Sequence, residues 1–215
     1  MTDTDLTFPT PLIIGVLSDT HVYEFGRRQV PGEVLDLFRR AGVGLILHGG
    51  DVNDRFLLTA LEAVAPVLAV VGNNDSADLR ATLPERISFT VGRFRFVLIH
   101  GHQGRTARTV ARTFVGKVDC VVYGHSHIPM VEEVAGTTLF NPGSPTDRRW
   151  RPHFGLGLIH VTAERCRPEL ILFTEPAHLS RIDVRPAAYT GPNTEGCRPD
   201  HRRHDDSRSD QSDAD

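Results

Sequence analysis

Five short segments carry residue types able to do chemistry: Asp19-Thr-His21, His48-Gly-Gly-Asp51, Gly72-Asn73, His100-Gly-His102 and Gly124-His125-Ser-His127. Singly, each is weak. Gly-Asp and Gly-Asn are ordinary turn dipeptides, and an isolated His-x-His suits a surface loop as well as a ligand pair. Together they supply two carboxylates (Asp19, Asp51), one amide oxygen (Asn73) and four imidazoles (His21, His100, His125, His127). That mixed oxygen and nitrogen set is too large for one tetrahedral zinc. Shared between two ions through a bridging carboxylate, it leaves positions for water and substrate. Imidazole-rich sets favour first-row transition metals over Mg or Ca, and two ions ~3.5–4 Å apart suit in-line displacement at phosphorus. The expected cofactors are therefore two divalent metal ions, Mn2+ or another first-row transition metal.

Each segment closes an apolar run. Leu12–Leu17 is short and β-branched, and reads as a buried strand. Residues 33–40 place Val34, Leu35, Leu37 and Phe38 at helical spacing after Pro31-Gly32. Leu45–Leu47 predicts a second strand, residues 54–64 a second helix stopped by Pro66, and Val67–Val71 a third strand. Nearly continuous apolar strands alternating with helices imply a sheet covered on both faces. The second half changes character. Ile87–Val91 and Phe94–Ile99 flank the turn Gly92-Arg93, a helix over 106–115 leads to Cys120–Tyr123, and Met130–Val134 and Thr137–Phe140 flank Ala135-Gly136. Phe154–Val161 and Glu169–Phe173 add two strands. The expectation is an α/β protein with two mixed sheets. Ligands of open α/β sheets bind beyond the carboxyl ends of strands, so the five segments should converge, and a buried cluster of this polarity is costly without a cation.

From Gly191 to Asp215 only Cys197 and Ala214 belong to the hydrophobic class, beside seven acids and four arginines. Such a segment cannot bury enough apolar surface to offset its ordering entropy. The expected organisation is an N-terminal extension over 1–11, one domain over 12–178 and a mostly disordered tail over 179–215. The net charge of −3 gives no reason to expect a nucleic-acid partner. Cys120, Cys166 and Cys197 lack CxxC spacing and fit a reducing compartment. The acidic start lacks the charge and apolar run of a secretory signal, and no apolar run approaches the ~20 residues of a membrane span. A cytoplasmic location without membrane partners is expected; the sequence leaves the oligomeric state open.

The ordered series Asp19-x-His21, Gly50-Asp51, Gly72-Asn73, His100 and Gly124-His125-x-His127 resembles the calcineurin-like metallophosphoesterase superfamily. Leu98-Ile-His-Gly-His102 and Phe140-Asn-Pro-Gly-Ser144 make it similar, more narrowly, to small prokaryotic phosphodiesterases of the YfcE type. The resemblance spans about Leu12 to Phe173. It implies a four-layer sandwich: two mixed β-sheets face to face, with helices outside. It assigns Asp19, His21, Asp51 and His127 to one metal and Asp51, Asn73, His100 and His125 to the other, with Asp51 bridging. It implies hydrolysis of small phosphate esters, diesters above all, by a hydroxide shared between the ions.

One position departs from the superfamily, where many members have histidine directly after the metal-binding asparagine to protonate the leaving oxygen. This chain has Asn74, assigned to substrate binding; an amide cannot serve as a general acid. His102 is the nearest substitute and the candidate catalytic acid. His48 reads as a strand-end histidine rather than a ligand, and Arg148 and Arg149 as loop arginines with some reach toward phosphate. Asn141 and Ser144 belong to a signature near the pocket. Two alternative functions share this fold. One is a non-catalytic interaction scaffold, like the retromer coat's small subunit, which carries asparagine where a ligand histidine is expected; this chain keeps His21. The other is a nuclease, weakened by the missing capping domain or basic face.

Overall fold

A computed structural model describes residues 6–184 of the 215-residue chain. Its strands are β1 (Leu6–Phe8), β2 (Leu12–Leu17), β3 (Leu45–His48), β4 (Val67–Ala69), β5 (Arg86–Val91) and β6 (Phe94–Ile99). β7 (Cys120–Tyr123), β8 (Met130–Val134), β9 (Thr137–Asn141), β10 (Phe154–Val161) and β11 (Cys166–Phe173) follow. The helices are α1 (Gly32–Ala41), α2 (Arg55–Glu62), α3 (Ala77–Thr82) and α4 (Ala107–Arg112), and a 3-10 turn spans Pro176–Arg181. The strands form a five-stranded sheet ordered β11-β10-β2-β3-β4 and a six-stranded sheet ordered β1-β5-β6-β7-β9-β8. β2, β3 and β4 run parallel, as do β6, β7 and β9.

Period-2 alternation divides each buried strand between two cores. Ile13 and Leu17 of β2 join α1 and α2 in one cluster, whereas Ile14 and Val16 face Phe96, Leu98, Val122 and Phe140 of the other sheet in a second. A third core sets Ala107 and Ala111 of α4 against Val97, Ile99, Val121, Tyr123 and Leu139. The result is four layers, as expected. α1 buries Val34, Leu37, Phe38 and Ala41, one apolar stripe, and stops at Gly42 with φ 68°. Gly15 makes room for that stripe: a Cβ there would lie 2.8 Å from two ring carbons of Phe38. Side-chain caps start the next three helices: Asp54 accepts from Phe56 N–H, Ser76 from Leu79 N–H and Thr106 from Thr109 N–H.

The packed unit runs from Leu6 to Val184, wider than 12–178. β1 pairs parallel with β5 and sets Leu6 opposite Phe89, a strand too short to show periodicity in the sequence. Leu179 is fully buried, and Arg40 donates to the carbonyls of Leu179 (2.7 Å) and Ile182 (2.9 Å). The segment read as a disordered tail otherwise lies, from residue 185 on, outside the described residues. Among the described residues, no helix is long and apolar enough to cross a membrane.

Candidate metal centre

The carboxyl ends of β2, β3, β4, β6 and β7 deliver Asp19, Asp51, Asn73, His100 and the His125–His127 turn to one place. Backbone bonds tie these ends together: Asp19 N–H to Gly50 O (3.0 Å), His21 N–H to Asp51 O (3.0 Å) and Gly124 N–H to His100 O (3.2 Å). The backbone is unusual. Asp19, His21, Asp51, His125 and His127 all have φ between 50° and 65°, the left-handed region that non-glycine residues seldom occupy. Glycine allows the close approach between strands. A Cβ on Gly50 (φ 92°) would lie 2.6 Å from His100 Nδ1, and one on Gly124 would overlap Ser18 Oγ.

Asp19, His21 and His127 bring three donor atoms within 4.8 Å of one another, and so do Asp19, Asp51 and His100. His21 and His127 stack with their Nε2 atoms 3.2 Å apart. Asp19 is common to both groups, and Asp51 Oδ2 lies 3.7 Å from His21 Nε2 and 3.5 Å from His100 Nε2. Asn73 Oδ1 is 3.1 Å from His100 Nε2. His125 lies in neither three-donor group; its ring centroid is 5.1 Å from that of His100. The second nitrogens of two histidines are already engaged, His100 Nδ1 by Gly49 O (2.7 Å) and His127 Nδ1 by Asp147 O (2.6 Å). Such bonds fix the tautomer that leaves Nε2 free to ligate.

The donor set fits divalent cations electrostatically. Asp19 is fully buried, and burial pushes its carboxyl up to about 7. Burial also lowers His21, His125 and His127, the last to about 4, leaving neutral imidazoles as metal binding requires. Asp51 and His100 go the other way. Burial opposes their charges, but the hydrogen bond between them and those from Asn74 to Asp51 prevail, so Asp51 falls below the carboxylate range and His100 rises. Two buried carboxylates facing mostly neutral rings form an acceptor cluster that a cation would complete.

The remaining candidates separate. His102 sits beside the cluster, its ring centroid 5.3 Å from that of His100, with Nδ1 buried and without a protein partner. Asn74 gives its backbone N–H (2.8 Å) and side-chain amide (2.7 Å) to Asp51. His48 bonds Thr20 Oγ1 at 3.0 Å, and burial drives it down to about 3. Asn141 and Ser144 brace the site: Asn141 donates to Gly124 O (2.9 Å), and Ser144 Oγ to the carbonyl of Asp19 (2.7 Å). Residues missed from sequence do similar work. Asp75 accepts from Gly72 N–H (2.6 Å) and Asn53 N–H (2.7 Å), and Ser18 donates to Asp19 Oδ2 (2.7 Å). Nothing in their spacing announces this.

Comparison with known proteins adds an independent line. Residues 12–164 match the model of the calcineurin-like phosphoesterase superfamily domain. A probable metallophosphoesterase of Methanothermobacter thermautotrophicus is 39% identical over 138 residues, covering 63% of this chain and 78% of that protein. A phosphodiesterase of Methanocaldococcus jannaschii is 28% identical over 142 residues, 60% of this chain and 82% of that one. Among solved structures, Vps29 of Entamoeba histolytica complexed with zinc aligns with a TM-score of 0.60 at 23% identity, covering 75% of this chain and 99% of that one. At that identity the likeness is one of fold alone.

Proposed function

Because the chain belongs to the calcineurin-like phosphoesterase superfamily, we propose that it is a dinuclear-metal-dependent hydrolase of small phosphate esters, acting on diesters first, in a reducing cytoplasm. The observation that carries this reading is the placement of Asp51 Oδ2 within 3.7 Å of His21 and 3.5 Å of His100. One carboxylate oxygen there lies near a histidine of each donor group.

In this reading Asp19, His21, Asp51 and His127 hold one ion, and Asp51, Asn73, His100 and His125 the other. Mn2+ or a neighbouring first-row metal suits the imidazole content. When bound, the ions supply an acidified water and neutralise charge on the phosphoryl oxygens. The chain's own residues do the rest. Asn74 holds Asp51 in register and borders the space for the ester. The Gly49 and Asp147 carbonyls orient His100 and His127. His102, beside His100, is the group proposed to hand a proton to the leaving oxygen.

The test is to strip the full chain with a chelator, confirm its metal content by elemental analysis, and reload it with single metals. Each form is then assayed on mono- and diesters. Turnover should disappear with the metal and return with Mn2+ or a neighbour, with diesters cleaved faster. Undiminished turnover in protein shown to be metal-free would overturn the mechanism. A chain that takes up no metal at all would instead favour the interaction scaffold.

A further inference from the structure

A cavity of about 210 Å³ opens beside the metal centre, lined by His125, His127 and Ile128 together with Arg149, Trp150 and Arg151. It is smaller than the ~300–1,000 Å³ that encloses a whole drug-sized ligand, so it has room for one ring-sized group. Two of its lining residues differ in kind. Arg149 is aimed at the metal centre, with its guanidinium Nη2 3.3 Å from His127 Nε2. Trp150 is 85% exposed, the largest apolar side chain type left almost wholly in water.

The turn that presents them is held in place. Arg151 N–H bonds the Arg148 carbonyl at 2.9 Å. Arg148 returns two bonds, to the carbonyls of Arg151 (2.9 Å) and Pro152 (3.0 Å), and lays its guanidinium over the Phe154 ring at 5.4 Å. Asp147 accepts from Arg149 N–H (3.2 Å) and pairs with its Nε (3.3 Å). The adjacent arginines thus divide the work: Arg148 secures the loop, and Arg149 faces the site. An indole this exposed gives the fold little burial, yet it projects from a fixed turn at the mouth of a cavity that reaches the metal-facing histidines. Indole faces favour stacking on flat rings.

We propose that this cavity is a subsite for a planar aromatic ring carried by the substrate ester, stacked on Trp150, with Arg149 paired to the phosphate between ring and metal centre. The subsite rests on the phosphoesterase reading of the metal centre. It would select esters with an aryl or nucleobase-like group over purely aliphatic ones. The stacking contribution should sit at the low end of the range for base–aromatic contacts, roughly five- to tenfold in affinity, because an indole 85% exposed keeps the stack open to water.

Trp150 is the only tryptophan in the sequence, so its emission reports on the subsite directly. The metal-loaded full chain is titrated with phenylphosphonate and butylphosphonate, neither of which is hydrolysed, following tryptophan fluorescence and calorimetric affinity. Phenylphosphonate should bind about five- to tenfold tighter and change the emission. Trp150→Ala should bring it down to the butylphosphonate affinity, Trp150→Phe should restore most of the preference, and Arg149→Gln should weaken both ligands alike. Equal affinities in the wild type, or a phenyl preference that survives Trp150→Ala, would overturn the subsite. A phenyl preference in a chain that hydrolyses no ester would support the subsite and sink the phosphoesterase reading; ester hydrolysis without that preference would do the reverse.

Discussion

Replacing Asp19 by asparagine should stabilise the metal-free chain while destroying its response to metal. Asp19 is fully buried, and its carboxyl is raised from 3.8 to about 7, burial being the main cause. A raised acid binds its proton more tightly in the folded state. Stability therefore falls as pH rises through that window and stays low above it. A shift of this size sets a ceiling of about 4 kcal/mol at pH 8, at 1.36 kcal/mol per unit. An effective interior dielectric nearer 20 than 4 leaves about 2 kcal/mol. Asparagine keeps the local bonds: its Oδ1 can accept from His125 N–H, now 3.1 Å from Asp19, and its Nδ2 can donate to Ser18 Oγ, now 2.7 Å away. In chelator at pH 8 the variant should melt roughly 4–8 °C higher than the wild type, since 1 kcal/mol moves Tm by ~2–4 °C at this size. At pH 5 the fold keeps Asp19 protonated while the unfolded chain is already ionised above 3.8, so the advantage should shrink without vanishing. Mn2+ at a hundred times its Kd should reverse the order, because the wild type would gain about 2.7 kcal/mol and the variant lacks the carboxylate proposed to bind the ion. Circular-dichroism melts under the four combinations of pH and metal decide the matter. A variant less stable than wild type in chelator at pH 8 would show that the carboxylate is not an uncompensated buried charge, and the argument for a cation would lose its electrostatic basis.

Gly15→Ala should cost about 1–3 kcal/mol by driving a methyl into the Phe38 ring; a lower Tm with metal content unchanged is the expected result. Leu179→Ala should cost about 2–5 kcal/mol, because Leu179 is fully buried in the core shared with α1, and chemical denaturation will measure it. His102→Ala should slow alkyl esters far more than aryl ones and steepen a plot of log rate against leaving-group pKa, since a positioned acid is worth ~10²–10⁴-fold. Parallel lines for wild type and variant would reject His102 as the acid.

The sheet architecture was legible because buried strands announce themselves. Leu12–Leu17, Leu45–Leu47 and Cys120–Tyr123 are uninterrupted apolar runs, each closed by a polar residue that had to emerge at the same edge. β1 and α3 were not legible. Leu6-Thr-Phe8 is three residues long, and Ala77–Thr82 buries only Leu79, so neither offers a period to detect. The donor cluster could be assembled from residue types alone, but its supports could not. That Asp75 ties two strand ends, or that Arg148 and Arg149 point to different tasks, depends on turn geometry that adjacent letters do not encode. Asn141 and Ser144 were expected near the pocket; the structure has them bonding the backbones that carry Asp19 and His125.

Those supports explain how the centre can exist. Five candidate ligands sit in the left-handed region, which costs of order 1–3 kcal/mol for each non-glycine residue. Their sum is comparable with the whole stability of an ordinary domain, about 5–15 kcal/mol. Such a backbone persists only where its neighbours leave it no alternative. Around Asp19 the Ser144 hydroxyl takes the carbonyl and Gly50 O the N–H, while Thr146 Oγ1 bonds the next carbonyl, that of Thr20, at 2.5 Å. Around His125 the Asn141 amide fixes the preceding carbonyl, and Asp19 Oδ1 accepts the N–H. The candidate ligands are thus positioned by the protein's own bonds, and the strain is offset by the two packed sheets behind them. Substitutions at Asn141, Ser144 or Thr146 touch no donor atom of the cluster, yet they release that strain, and their damage should appear in metal affinity before it appears in the fold.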